Sequence, residues 1–146
     1  MKIEIKVDEH VNDTNVIIVT RQVDERIHAL VKRISEDRPL VIAGFSGDTV
    51  RLLDQEEIYR IYAENGKVFC KTQSERYTLR LRLYELEARL DPKRFVRISN
   101  SEIINLKRVK GFDLSFTGTI RVALTNGETT FVSRRYMSKI KHVLGL

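Results

Sequence analysis

The chain lacks most of the features that mark secreted, membrane or catalytic proteins. Among its 146 residues there is one cysteine, Cys70. No intrachain disulfide framework can form, and the composition fits a reducing compartment. Long hydrophobic runs are missing too. The longest aliphatic block is Val16 to Val19, far short of the roughly 20 residues that cross a bilayer as a helix. The opening Met1-Lys2-Ile3-Glu4-Ile5-Lys6 alternates charge with apolar side chains and has no continuous apolar core of the signal-peptide kind. A soluble, cytoplasmic protein is expected.

Catalytic constellations are equally scarce. His10, His28 and His142 stand far apart, none at metal-ligand spacing to another or to Cys70, and neither a phosphate-cradling Gly-rich loop nor a nucleophile elbow is present. Asp54, Glu56 and Glu57 could form an acid cluster, but three acids ahead of a strand usually make a solvated turn. Cys70 falls in a strand pattern with no second cysteine to resolve a redox cycle. Enzyme activity is unsupported, and no cofactor, metal or small-molecule substrate is expected.

What is present is positive charge, unevenly spread. Residues 1–66 carry 9 Lys/Arg against 13 Asp/Glu, whereas residues 67–146 carry 17 against 7. A basic half attracts phosphate polymers or an anionic membrane through a long-range, salt-sensitive term that does not read sequence. A merely solvated basic surface is the competing explanation.

Periodicity divides the chain in two. Ile3, Ile5 and Val7 share one face of a strand pattern, Val16–Val19 read as a buried strand, and Val23, Ile27, Leu30, Val31 and Ile34 make one stripe of an amphipathic helix. Acids at its start, bases at its end and Pro39 beyond agree with its dipole. Residues 1–38 thus read as a strand-strand-helix appendage, too small to bury a core alone. It must pack on the remainder or on another copy, with self-association or regulation as its expected role. No Gly/Ser-rich or Pro-rich linker follows it.

From residue 39 the pattern is strand after strand. Leu40–Phe45 and Thr49–Leu53 flank Gly44 and Gly47, Ile58–Ala63 and Val68–Lys71 flank Asn65-Gly66, and Ile120–Leu124 and Thr129–Val132 flank Asn126-Gly127. Asn-Gly is a strong hairpin signal because a type I′ turn needs positive φ at both central residues. Phe112–Phe116 joins Ile120 through Thr117-Gly118, and Leu83, Leu86 and Leu90 mark a brief helix ended by Asp91-Pro92. The fold class is α+β dominated by antiparallel strands, with 39–146 as one domain.

Two stretches of that domain concentrate donors. In "RFVRISNSEIINLKRVK", residues 94–110, apolar anchors alternate with Arg94, Arg97, Asn100, Lys107, Arg108 and Lys110. Ser99-Asn100-Ser101 suits a tight turn or a cap; equally, an exposed Asn can bond an adenine edge or a phosphate, and an Arg can grip guanine or phosphate. In "VSRRYMSKIKHVLGL", Met137, Ile140 and Leu144 recur at helical spacing, with Ser133 placed to cap. Arg134 and Arg135 then fall in the first turn, where a cation costs roughly 0.3–1 kcal/mol unless an anion is near. A phosphate backbone would supply that anion.

The pairing of "RLYELEARLDPKRFVRISNSEIINLKRVK" with a Gly-rich hairpin running into "NGETTFVSRRYMSKI" resembles the LytTR family of bacterial DNA-binding domains, over about residues 39–146. The resemblance implies a response-regulator-like transcription regulator. Such a domain grips double-stranded DNA with sheet loops and the start of its C-terminal helix, in successive major grooves of direct repeats. It places Asn100 at a base- or backbone-contacting position, Arg135 at the groove-entering arginine, and Lys67, after Asn65-Gly66, at a third contact. Arg97, Arg134 and Lys107 then become phosphate neighbours. Ser99 stands where relatives often carry histidine, which implies a different base preference.

In many relatives a receiver domain precedes the DNA-binding part. Residues 1–38 cannot hold one, so phosphorelay control within the chain is not expected. A homodimer and a membrane-bound antagonist protein are further expectations. Two other classes stay open: a small basic β protein that binds RNA, and a protein-interaction module using the N-terminal helix. An RNA platform needs exposed aromatics, while Phe69, Phe95, Phe112, Phe116 and Phe131 sit in strand patterns expected to face the core.

Overall fold

The computed structural model describes residues 1–35 and 41–146. Pro39 and Leu40, assigned above to a helix stop and a strand start, lie outside them. The chain divides into two units, Met1–Arg38 and Pro39–Leu146.

Among the described residues of the first unit one element forms, helix α1 (Glu25–Ser35). Asp24 caps it: its carboxylate accepts from Ile27 N at 3.1 Å and its carbonyl from His28 N at 3.0 Å, satisfying N–H groups that a helix start leaves orphaned. The two strands expected at Ile3–Val7 and Val16–Val19 are not formed. Ile3, Ile5 and Val7 are 78%, 88% and 87% exposed. The physical reason is that a strand needs a neighbour for its backbone groups, and an isolated hairpin without a covering layer is marginal in water.

The described residues of the second unit carry ten strands and two α-helices. In chain order they are β1 (Val41–Ser46), β2 (Thr49–Asp54), β3 (Arg60–Glu64), β4 (Lys67–Lys71), β5 (Arg76–Leu79), helix α2 (Leu83–Arg89), β6 (Phe95–Ser99), β7 (Glu102–Asn105), β8 (Val109–Asp113), β9 (Ile120–Leu124), β10 (Thr129–Val132) and helix α3 (Met137–Val143). All pairings are antiparallel, in a seven-stranded sheet of order β2-β1-β5-β4-β3-β7-β6 and a three-stranded sheet of order β10-β9-β8.

Both Asn-Gly signals make turns, but by different backbones. Asn65 and Gly66 both take positive φ, 52° and 75°, as a type I′ turn requires. At Asn126-Gly127 only the glycine is positive, at 90°, and the Asn126 side chain accepts from Glu128 N at 3.0 Å. That side-chain bond replaces the second left-handed residue. β5 has no glycine-marked turn and was not anticipated from periodicity.

The large sheet is buried on both faces at β6 and β7. Phe95 and Ile103 face α2, joining Ile61, Cys70, Leu83, Leu86 and Leu90 in one core. Val96, Ile98 and Ile104 face the small sheet and α3, joining Ile120, Val122, Val132 and Ile140 in a second. Alternation along a strand is what sends neighbours into separate cores. Cys70 is wholly buried, and burial pushes its thiol up to about 12, so it is packing rather than redox chemistry. The acid turn is structural as well: Glu57 accepts from Asp54 N at 2.9 Å and from Arg51 at 2.6 Å.

Between the sheets lies an ionic cluster. Arg60 of β3 donates to Glu102 of β7 at 2.9 Å and to Glu128, beside β10, at 3.3 Å; Lys71 of β4 meets Glu128 at 3.0 Å. Thr130 of β10 donates to the same Glu102 oxygen at 2.9 Å. Burial raises the Glu102 carboxyl above its ordinary range, outweighing the Arg60 charge that pulls it down. Its second oxygen makes no hydrogen bond among the described residues. No described helix is long and apolar enough to cross a membrane.

Removing one member of a buried pair strands the other charge. Glu102→Ala is therefore expected to lower unfolding free energy by about 3 kcal/mol, read by urea denaturation. Because the folded pKa is raised, folding holds the Glu102 proton above the unfolded value of about 4.3. This group's contribution declines as pH rises from there through the raised value. Glu102→Gln, which mimics the protonated form, is expected to gain stability relative to the native chain over that window. A constant difference across it would contradict the burial argument.

Candidate nucleic-acid interface

Strand direction decides which loops meet. β3 and β7 pair with Tyr62 opposite Glu102, and Ala63 N donates to Ser101 O at 2.8 Å. The Asn65-Gly66 turn and the Ser99-Asn100-Ser101 turn therefore emerge at one end of the large sheet. β10 delivers the chain to the same end, where Ser133 N donates to Ile98 O at 2.9 Å. Arg134–Tyr136 follow as a 3-10 turn and lead into α3.

Asn100 is exposed at the tip of the β6–β7 turn. Its side-chain oxygen accepts from Tyr136 Oη at 3.1 Å, which leaves the amide N–H groups without a protein partner among the described residues. Arg135 is exposed with no acid against it among the described residues; Lys67, at the start of β4, is exposed too, with Glu64 of β3 directly opposite it across the hairpin. Lys67 shares its face with Lys71, on the side that carries the small sheet. Ser99 is half-buried, its hydroxyl accepting from Ser101 N at 3.2 Å, so it shapes the turn. Arg134 is exposed and lies over Gly118 of the β8–β9 loop. A Cβ on that glycine would sit 2.9 Å from its guanidinium, and Gly118 also has φ +77°.

Two expected contacts sit differently. Arg97 is committed internally: it donates to Ser99 O at 2.9 Å, to Asn100 O, and to Glu87 of α2 at 2.8 Å. Its donors hold the turn that presents Asn100. Lys107 is exposed but lies in the turn after β7 (Leu106–Arg108), at the opposite end of that strand. The four residues of β7, at about 3.3 Å each, put roughly 13 Å between the two turns. There Arg94 pairs with Glu56 at 3.3 Å, and Arg108 donates to the Glu56 carbonyl.

The helix-end argument also changes. Arg134 and Arg135 precede α3 on a 3-10 turn rather than lying in its first turn, and Ser133 makes no side-chain cap, so they sit just outside the positive end of a two-turn helix, where its opposition is weaker than within the first turn. Tyr136 was missed as a positioning residue; its place in "SRRY" was the available signal, and its partner Asn100, 36 positions away, was not. The aromatic expectation fails for two residues. Phe116 and Phe131 are 43% and 50% exposed, edge to face at 6.2 Å. Phe95 is buried, and Phe69 and Phe112 are half-buried.

A hydrogen bond that aims an exposed side chain is tested by its loss. Tyr136→Phe keeps the ring and is expected to leave stability within about 1 kcal/mol of native, while Asn100 amide protons lose their protection from rotation, read by NMR linewidths.

The model of the LytTr DNA-binding domain matches residues 48–145. A solved LytTr DNA-binding domain from Bacillus cereus superposes with a TM-score of 0.70 at 24% identity, covering 73% of this chain and 97% of that one. That likeness is one of fold. Two proteins of Staphylococcus aureus, from strains COL and MRSA252, are each 26% identical over 147 residues, covering 100% of this chain and 99% of theirs. Both are described as uncharacterized HTH-type transcriptional regulators. In this chain α2 and α3 are separated by five strands, so the described residues of the second unit hold no helix-turn-helix. With ten antiparallel strands and the matched span covering most of its length, the chain belongs to the LytTR family, which is one of DNA-binding domains and not of enzymes.

Proposed function

We propose that the chain is a sequence-specific, double-stranded DNA-binding transcription regulator that reads direct repeats as a pair of copies in the cytoplasm. The relatives' description as transcriptional regulators supports the regulatory half. The observation that carries the DNA half is the convergence of Asn100 and the Arg134–Tyr136 turn, joined by the Tyr136 hydrogen bond, with Lys67 at the same sheet end.

In this reading Arg135 and Asn100 contact base edges, Lys67 and Arg134 contact phosphates, and Arg97, Ser99 and Tyr136 hold the presenting turn. Phosphate contacts set position and base contacts set sequence. An exposed arginine with no acidic neighbour can enter a groove without first breaking an ion pair. A membrane-bound antagonist would act by covering this rim. Phe116 and Phe131 are the observation that favours RNA, but their edge-to-face packing presents no pair of parallel stacking faces.

The test is selection of bound duplexes from a random pool, followed by footprinting. A spaced direct repeat is the expected outcome; a flat pool with steep salt dependence would reduce the protein to a nonspecific polycation binder. On the selected site, Arg135→Ala is expected to cost about 1–3 kcal/mol and relax one position. Lys67→Ala is expected to weaken all sequences alike and flatten the salt slope by about one unit. Lys107→Ala is expected to leave binding near native, which separates the rim from total charge.

A further inference from the structure

The first unit leaves the apolar half of an alternating pattern uncovered, while in the charged half Lys2 and Glu4 meet only each other, at 3.2 Å on the surface. Ile3, Ile5 and Val7 alternate with Lys2, Glu4, Lys6 and Asp8, the period of a half-buried strand, yet these three apolar side chains are almost fully exposed and the segment forms no strand. Helix α1 also keeps Ile34 42% exposed. Charge order says what would complete it. We propose that residues 2–8 are a self-complementary strand that pairs antiparallel with residues 2–8 of a second copy, Ile5 facing its own counterpart across a two-fold axis.

The register follows from the sequence. With Ile5 at the centre, Glu4 stands opposite the partner's Lys6, Lys2 opposite the partner's Asp8, and Ile3 opposite the partner's Val7. Each cross-strand pair is then either oppositely charged or apolar on apolar, and each occurs twice by symmetry. Centring on Ile3 is also complementary but pairs only residues 1–5; the other arrangements fail. A parallel pairing sets Lys2, Glu4 and Lys6 each against its own kind. Centring on Glu4 opposes Lys2 to the partner's Lys6, and centring on Lys6 opposes Glu4 to the partner's Asp8. A half-step shift turns apolar residues toward charged ones. Pairing satisfies the backbone groups of the segment, gathers Ile3, Ile5 and Val7 of both copies on one face, and creates the kind of surface that the α1 stripe covers. The Val16–Val19 run is then available to the outer edge of each strand, which would blunt an otherwise open edge.

This deepens the proposed pairing of copies and rests on it, but its test uses the full-length chain without DNA, so its failure leaves the DNA reading standing. Sedimentation velocity across a concentration series reads the monomer–dimer equilibrium. Glu4→Lys and Lys6→Glu each create two repulsive pairs per dimer, and each is expected to raise the dissociation constant about tenfold. Mixed in equal amounts, the two variants restore every pair, and a mixed dimer of native affinity is expected. The double variant, which exchanges the two charges, is expected to dimerise like the native chain. A native chain that stays monomeric throughout, single variants that dimerise normally, or a mixture that fails to recover would each overturn the proposal. The mixture also separates lost pairing from lost folding, because a misfolded variant could not be rescued by its complement.

Discussion

An ion pair withdrawn from water joins the two sheets of the second unit. Arg60 reaches from the large sheet to Glu102 beside it and to Glu128 at the small sheet, while Thr130 returns a hydrogen bond to Glu102. Four strands contribute to this cluster, so none can shift register without opening it. Desolvation opposes the arrangement and raises the Glu102 carboxyl; the flanking cores of Leu86 and Ile61 on one side and Ile98 and Val122 on the other offset that cost. What the cluster contributes is a defined crossing of the sheets, which brings β10 beside β6 and delivers Ser133 to Ile98.

The rim depends on that delivery. Asn100 and Tyr136 come from turns that are distant in the chain, and they meet because β6 ends where β10 ends. Arg97, a donor-rich residue two positions before the turn, is absorbed into holding the turn in place. Charge therefore divides by partner, not by abundance. Arg97, Arg60, Arg94 and Arg108 are engaged by carboxylates or carbonyls, whereas Arg134 and Arg135 are exposed without an acid against them among the described residues, and Lys67 is exposed with only its cross-strand neighbour Glu64 beside it. The basic excess of residues 67–146 overstates what is available to an anionic partner.

The first unit poses the opposite problem. Its helix forms with its own cap, because helical hydrogen bonds close within one segment. Its strand patterns do not form, because a strand's hydrogen bonds must close on something else. The same alternation that writes a strand at Ile3–Val7 leaves it unfinished in a single copy.

Local rules were therefore legible in the sequence: the Asn65-Gly66 turn from the φ demands of those residues, and α1 and α2 from their apolar spacing. The two motifs that resemble the LytTR family were legible too, as was the candidacy of Asn100 and Arg135. Only the tertiary structure decided that Lys107 lies at the far end of β7, that Arg97 is consumed by Glu87 and the turn carbonyls, that Phe116 and Phe131 face outward, and that Tyr136 steers Asn100. The reason is that hydropathy and turn chemistry act between neighbours in the chain. Which sheet end a loop occupies, and which acid an arginine finds there, is fixed by pairings between strands tens of residues apart.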